Sequence, residues 1–151
     1  MALKPDRIEH LTDVSFFMNT AEERGGVVSV VTATSGVGAS MDDANAVVAY
    51  AAAASGAKPI GILLNDVVDL DLTRQHINWY KDEVQKGGKV TVLRQGVVVT
   101  DKVAGTPSAG ADAFVANSGV ISTTQATGAV KIGQFLSSKD ADGYAKVSVN
   151  L

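Results

Sequence analysis

The stretch Lys58–Thr100 shows the clearest alternation of polar and apolar residues in the chain. Pro59–Leu64 is a short apolar run rich in strand-forming residues, and Lys89–Arg94 alternates polar and apolar residues with a period of two. A period of two is typical of a half-buried β-strand. The glycines Gly87–Gly88 and Gly96 punctuate these segments and favour turns or breaks there. The pattern predicts that this stretch forms the middle of a small β-barrel.

Shorter segments on either side repeat the same signal. Val27–Thr32 and Ala113–Ala116 are rich in strand-forming residues, and the end of the chain predicts a hairpin of Val130–Leu136 and Tyr144–Val149 around the turn Ser137–Gly143. Many short strands with turn residues between them indicate an all-β domain. We therefore expect a mainly β fold, a small β-barrel or sandwich-like domain with an extended N-terminal arm and at most one or two short helices.

Three segments allow two interpretations each. Asp42–Ser55 is rich in alanine and has aspartates in its first turn, which favours a helix, yet Val47–Tyr50 within it could equally be a short strand. Asp66–Leu72 alternates aspartate with apolar residues and is either an acidic edge strand or a connection. In Thr73–Gln85, the residues Ile77, Tyr80 and Val84 have the spacing of one face of a helix, but Trp79 lies off that face. The segment is therefore either a helix or an extended loop.

The N-terminal segment lacks a period of either kind. We interpret residues 1–25 as an arm and residues 26–151 as the β-rich domain. The apolar cluster Phe16, Phe17 and Met18 near the end of the arm either packs back onto its own domain or anchors the arm on another subunit.

Composition narrows the classes of function. The 151 residues carry a formal net charge of -3 and 46% apolar residues, which indicates one globular domain and argues against a nucleic-acid partner. There are no cysteines, so disulfides and thiolate metal sites are excluded. The first residues are charged and no apolar run is long enough to span a membrane, so we expect a soluble protein made in the cytoplasm of the cell that translates it, without a membrane partner.

The loop around Gly36–Gly38 is the strongest candidate for a ligand site. It lies between a predicted strand and a possible helix, where glycines let backbone N–H groups approach a pyrophosphate. Met41 occupies the place of the third glycine of that motif, and the rest of the chain lacks further βα units. An ordinary glycine loop is the preferred interpretation, and nucleotide binding remains an alternative.

Other candidates for chemistry are weaker. Ser138–Gly143 resembles the start of a calcium loop, but Val149 stands where the closing glutamate belongs, so a hairpin turn is preferred. His10 and His76 have no cysteine to complete a zinc site, and the adjacent Asp82–Glu83 suits a solvated face better than an acid–base pair. The sequence therefore predicts no catalytic residue, no metal and no cofactor.

Four segments in this order carry a resemblance to a known family. They are KPIGILLNDVVD at 58–69, LTRQHINW at 72–79, GGKV at 87–90, and the ending FLSSKD through YAKV at 135–147. In order and spacing they resemble the decoration, or cement, proteins of tailed bacteriophage capsids.

The resemblance implies a non-enzymatic β-rich virion protein that sits on the outer capsid surface and bridges major capsid protein subunits, often as a homo-dimer or homo-trimer. It also implies that 47–54 is strand and turn rather than helix. A tail or fibre component is the alternative within the virion. We predict capsid or subunit contacts at seven residues: Leu3, Pro5, Phe16, Phe17, Met18, Trp79 and Tyr80.

Overall fold

The computed structural model describes residues 9–31, 47–69 and 83–151. Within these ranges the chain forms eleven β-strands and one short 3₁₀ helix at Asn117–Gly119. The strands are β1 Glu9–Met18, β2 Val27–Val30, β3 Val47–Tyr50, β4 Pro59–Leu63, β5 Asp66–Val68, β6 Glu83–Gln85, β7 Lys89–Thr100, β8 Asp112–Val115, β9 Ile121–Ser122, β10 Lys131–Phe135 and β11 Ala145–Asn150.

Five strands close into a barrel. They pair in the order β1–β3–β2–β4–β7, and β7 returns to pair with β1. Each of these pairings is antiparallel except that of β1 with β3, where Phe17 and Met18 lie opposite Val47 and Val48 in parallel register. Closure leaves no free edge in the ring itself, which is one way in which β-proteins avoid unwanted strand pairing.

Strand β7 also belongs to a second sheet, ordered β7–β11–β10–β8–β9. Its edge pairs with β4 at Val92 and Leu93 and then with β11 from Gln95 to Thr100. The strand passes through Gly96, whose φ of 152° lies in the positive region that favours glycine. Gly96 punctuates the strand without ending it, because β7 runs across it from the barrel into the second sheet.

The shared strands are buried on both faces. Adjacent residues on β4 go to opposite sides: Leu63 packs with the cluster that fills the barrel, and Ile62 packs with the cluster between the barrel and the second sheet. Val27 and Val28 on β2 divide in the same way, as do Leu93 and Val92 on β7. Strands covered on both faces read as nearly continuous apolar runs rather than as alternation.

The close approach of β4 to β7 depends on a glycine. A Cβ placed on Gly61 would overlap the backbone carbonyl of Leu93 on β7. No side-chain rearrangement could relieve this overlap, because the obstructing atom belongs to the backbone. Gly61 therefore allows the two strands to meet at the wall that both apolar clusters share.

The predicted fold class, a mainly β protein with a small barrel, is confirmed. Pro59–Leu63, Lys89–Thr100 and the closing hairpin of β10 and β11 lie where the pattern places them. In the ambiguous alanine-rich segment, the residues Val47–Tyr50 are strand. Asp66–Val68 is a short strand that pairs in parallel with β6, while residues 70–82 lie outside the described part of the chain.

The segment interpreted as an arm contains a barrel strand. Glu9–Met18 is strand β1 and pairs with β7 from Glu9 to Phe17. The apolar cluster Phe16, Phe17 and Met18 packs on the chain's own domain, which is one of the two interpretations given above. Residues 1–8 lie outside the described residues. In the ranges that the structure describes, no helix has the length and apolar character needed to span a membrane.

Candidate functional site

The predicted contact residues on β1 are largely taken up by the fold. Met18 is fully buried within the cluster that fills the barrel, and Phe17 is 8% exposed, with Lys89 Nζ lying 5.6 Å from its ring centroid. Phe16 is half-buried and packs against the same barrel cluster. The side chains of Phe17 and Met18 therefore pack in the chain's own core, and their role as partner contacts stays a prediction.

The other predicted contacts, Leu3, Pro5, Trp79 and Tyr80, lie outside the described residues. The same holds for the loop Gly36–Gly38, on which the nucleotide alternative depends, and for His76.

An acidic groove with a volume of about 560 Å³ lies on the described surface. It forms where the segment after β1 meets the small sheet of β5 and β6. The backbones of Glu22 and Val67 bond in both directions, with Glu22 N donating to Val67 O at 3.0 Å and Val67 N donating to Glu22 O at 2.8 Å. The groove is lined by Ala21, Glu22, Glu23, Asp66, Val67, Val68, Asp69, Glu83 and Lys102.

Two basic residues form ion pairs with acidic residues that line the groove. Arg24 Nε lies 3.2 Å from Asp66 Oδ2, and the backbone N–H of Arg24 donates to Asp66 Oδ1 at 2.9 Å. Lys102 Nζ lies 3.2 Å from Glu23 Oε2. Partial burial raises the pKa of the Glu22 carboxyl above its usual value, and the positive charge of Lys102 opposes this rise. The remaining negative charge would attract basic groups.

Tyr50 connects the groove with the region where the barrel meets the second sheet. Its hydroxyl donates a hydrogen bond to the backbone carbonyl of Glu23. Its ring lies against Gly26 and Gly119, where an added Cβ would overlap the ring at either glycine. Burial raises the pKa of Tyr50, and the negative charge of Glu22 raises it further. The neutral phenol is therefore the form that the fold stabilises.

The turn that resembles a calcium loop is held by its own hydrogen bonds. Asp140 Oδ1 accepts from the backbone N–H groups of Asp142 at 3.0 Å and Tyr144 at 2.8 Å. A carboxylate that caps backbone donors in this way is typical of a turn between strands. Over the described ranges, no cluster of three or more histidine, aspartate or glutamate side chains is placed to hold a metal ion.

Sequence reasoning found only part of the groove. The alternation of Asp66 and Asp69 with Val67 and Val68 marked an acidic strand, which is half of the groove. The other half comes from 21–23 and from Lys102, which reach β5 only through the tertiary fold. The bridge between Glu22 and Val67 has no local sequence signal, because Glu22 lies in an irregular segment that meets β5 only through the tertiary fold.

The fold and this surface can now be set beside known proteins. A family model described as structural cement protein (E217 gp24/Pam3 gp6) matches residues 11–150. The chain belongs to the family of phage structural cement proteins. No curated protein matches it.

The family is a structural one, so this chain is a structural component of a phage virion and associates with capsid proteins. The match begins inside β1 and ends at Asn150, and it therefore includes both the barrel and the second sheet. The resemblance to cement proteins that the four sequence segments indicated is confirmed.

Proposed function

We propose that this cement protein binds the outer surface of the phage capsid and stabilises the lattice by bridging major capsid protein subunits. The observation that carries the proposal is the family match over 11–150, which includes every strand from β2 to β11. We also propose that the protein acts without catalysis or a cofactor and docks as a homo-dimer or homo-trimer.

The fold is rigid enough to hold two capsid subunits together under tension. The barrel and the second sheet share β7, and the apolar cluster between them includes residues from both, such as Ile62 and Leu93 from the barrel and Phe135 and Val147 from the second sheet. A force applied to one part is therefore transmitted to the other through a continuous sheet and a packed core. A bridge between capsid subunits needs this rigidity, because a soft connector would stretch before it resisted separation of the subunits.

Stabilisation of the shell follows from mass action. A protein that binds the assembled lattice but not the ruptured shell lowers the free energy of the assembled state, by an amount that grows with the ratio of its free concentration to its dissociation constant. Each copy can bind modestly, because the contributions of many copies on one shell add together. Leu3, Pro5, Trp79 and Tyr80 remain proposed capsid contacts, together with the half-buried Phe16.

Reconstitution tests the proposal directly. Particles that lack the protein are mixed with the purified chain, and the temperature at which they release DNA is measured as the protein concentration rises. We expect a saturable increase in that temperature, with saturation at a fixed number of copies per particle. Gly61→Ala is the matched negative control, because the barrel cannot accommodate its Cβ and the variant should not present a folded surface.

Three other outcomes would refute the proposal. Failure of the wild-type chain to bind would favour a tail or fibre component, found at few copies per particle. Binding without any change in the temperature of DNA release would leave a decoration protein that does not stabilise the lattice. A melting temperature raised by NAD or ATP would instead favour the nucleotide alternative at Gly36–Gly38.

A further inference from the structure

Arg94 occupies the point where the sheet branches. On one edge of β7, the pairing with β4 ends at Leu93 and the pairing with β11 begins at Gln95, so Arg94 has no register partner there. On the other edge, β1 pairs Asp13 with Leu93 and Thr12 with Gln95, and Arg94 is again passed over as the extra residue of a bulge. Bulges commonly redirect a side chain at functional places.

The backbone of Arg94 is nevertheless fixed. Its carbonyl oxygen accepts a hydrogen bond from the backbone N–H of Leu151 at 3.1 Å, and its neighbours on β7 are paired on both edges. Leu93 is fully buried in the apolar cluster between the barrel and the second sheet. The side chain therefore projects from a rigid part of the fold rather than from a mobile loop.

One donor of the Arg94 guanidinium is buried without a hydrogen bond. The residue is half-buried, its Nε is shielded from solvent, and this atom has no hydrogen-bond partner. Among the described residues, no carboxylate forms an ion pair with Arg94. Arg24 Nε also lacks a hydrogen bond, but it differs in having an ion-pair partner, because it lies 3.2 Å from Asp66 Oδ2. An arginine stays charged at neutral pH, and leaving a buried donor unsatisfied costs stability.

We propose that Arg94 is a pre-positioned anchor for a carboxylate of a capsid subunit. The planar fork of a guanidinium matches a carboxylate, and a bidentate pair would supply the acceptor that Nε lacks. A charge that is already partly desolvated before docking loses less hydration when the partner covers it. Arg94 therefore costs stability in the free chain and contributes affinity in the complex.

This inference rests on the proposed function. Arg94→Met tests it, because methionine keeps about the length of the side chain but removes its charge and its donors. The inference predicts both the stability and the capsid affinity of this variant. We expect the free variant to unfold at the same temperature as the wild type or higher, because an uncompensated charge has been removed. We expect its affinity for capsids lacking the protein to fall about tenfold or more. Arg94→Lys, which keeps the charge without the fork, should lose less affinity than the methionine variant.

The matched control is Lys146→Met on β11, which removes the same charge from another half-buried position close to β7. Its affinity should stay near that of the wild type. Light scattering of the free variants should show the wild-type oligomeric state, since the proposed carboxylate belongs to the capsid rather than to a second copy.

Several results would overturn the inference. Equal affinity of Arg94→Met and the wild type would show that the side chain takes no part in docking. A lower unfolding temperature of Arg94→Met would show that Arg94 stabilises the fold. An equal loss of affinity in Lys146→Met would show that only the overall charge matters. A change of oligomeric state in Arg94→Met would place the carboxylate on a second copy. Failure of the wild type to bind would refute the proposed function itself, which distinguishes that outcome from the others.

Discussion

Tyr50 joins three parts of the chain that are distant in sequence, and its phenol makes a prediction about pH. The pKa of Tyr50 is raised above its usual value of 10.0 by burial first and by the negative charge of Glu22 second. The folded state therefore disfavours tyrosinate. The stability that Tyr50 contributes is complete below pH 10 and is lost as the pH rises above 10 towards the pKa of the folded state.

Replacing Tyr50 with phenylalanine should reveal this contribution. Near neutral pH, Tyr50→Phe should lose about 1 kcal/mol of unfolding free energy, because the hydroxyl no longer donates to the Glu23 carbonyl. Above pH 10, the wild type should lose stability faster than the variant, by at most about 1.4 kcal/mol per pH unit. Urea unfolding at a series of pH values measures both effects, and parallel curves for the two proteins would contradict them.

The role of Tyr50 shows which residues a sequence can and cannot assign. The strand residues Val27, Val28 and Ile62 are readable, because local composition already marks apolar runs. The position of the Tyr50 ring depends on Gly26 and Gly119, which approach it from separate segments. Neither glycine differs in its local sequence from an ordinary turn residue, so this contact could not be predicted.

Strand β1 is the element for which the structural and sequence interpretations differ most, and Met18 tests the difference. Met18→Ala should lower the unfolding free energy by about 2–5 kcal/mol, because it leaves a cavity at a fully buried position in the barrel cluster. Thr12→Ala on the same strand is the control and should change stability by less than about 0.5 kcal/mol, because Thr12 is exposed. Denaturant unfolding measures both variants.

A docking arm would give the opposite result. If Met18→Ala weakened capsid binding while its unfolding free energy equalled that of the wild type, β1 would not form part of the barrel in solution. The structure predicts that any loss of binding in this variant follows from loss of the fold.

Local pattern failed at two elements for different physical reasons. Strand β1 lacks a clean period, because one stretch of ten residues pairs with β7 across two bulges and also meets β3 at its end. Strand β3 lies in an alanine-rich segment whose intrinsic preference is helical, but pairing with β1 and β2 overrides that preference. Long periodic strands such as β7 carry enough local information to be predicted.

At the scale of the whole molecule, two apolar clusters on opposite faces of shared strands make the barrel and the second sheet one body. The sequence predicted the mainly β class from its patterns and the family from four ordered segments. It could not predict the acidic groove or the position of Arg94, because both depend on which segments the tertiary fold brings together. The family match makes this chain a structural component of a phage virion.

The number of copies of this protein per major capsid protein in purified particles tests the central claim most directly. Quantitative mass spectrometry of intact virions gives that ratio. A protein that bridges capsid subunits across the lattice should be present at a ratio near one, or at a simple fraction fixed by the lattice symmetry. A few copies per particle, or absence from the particle, would contradict the proposal that it clamps the capsid surface.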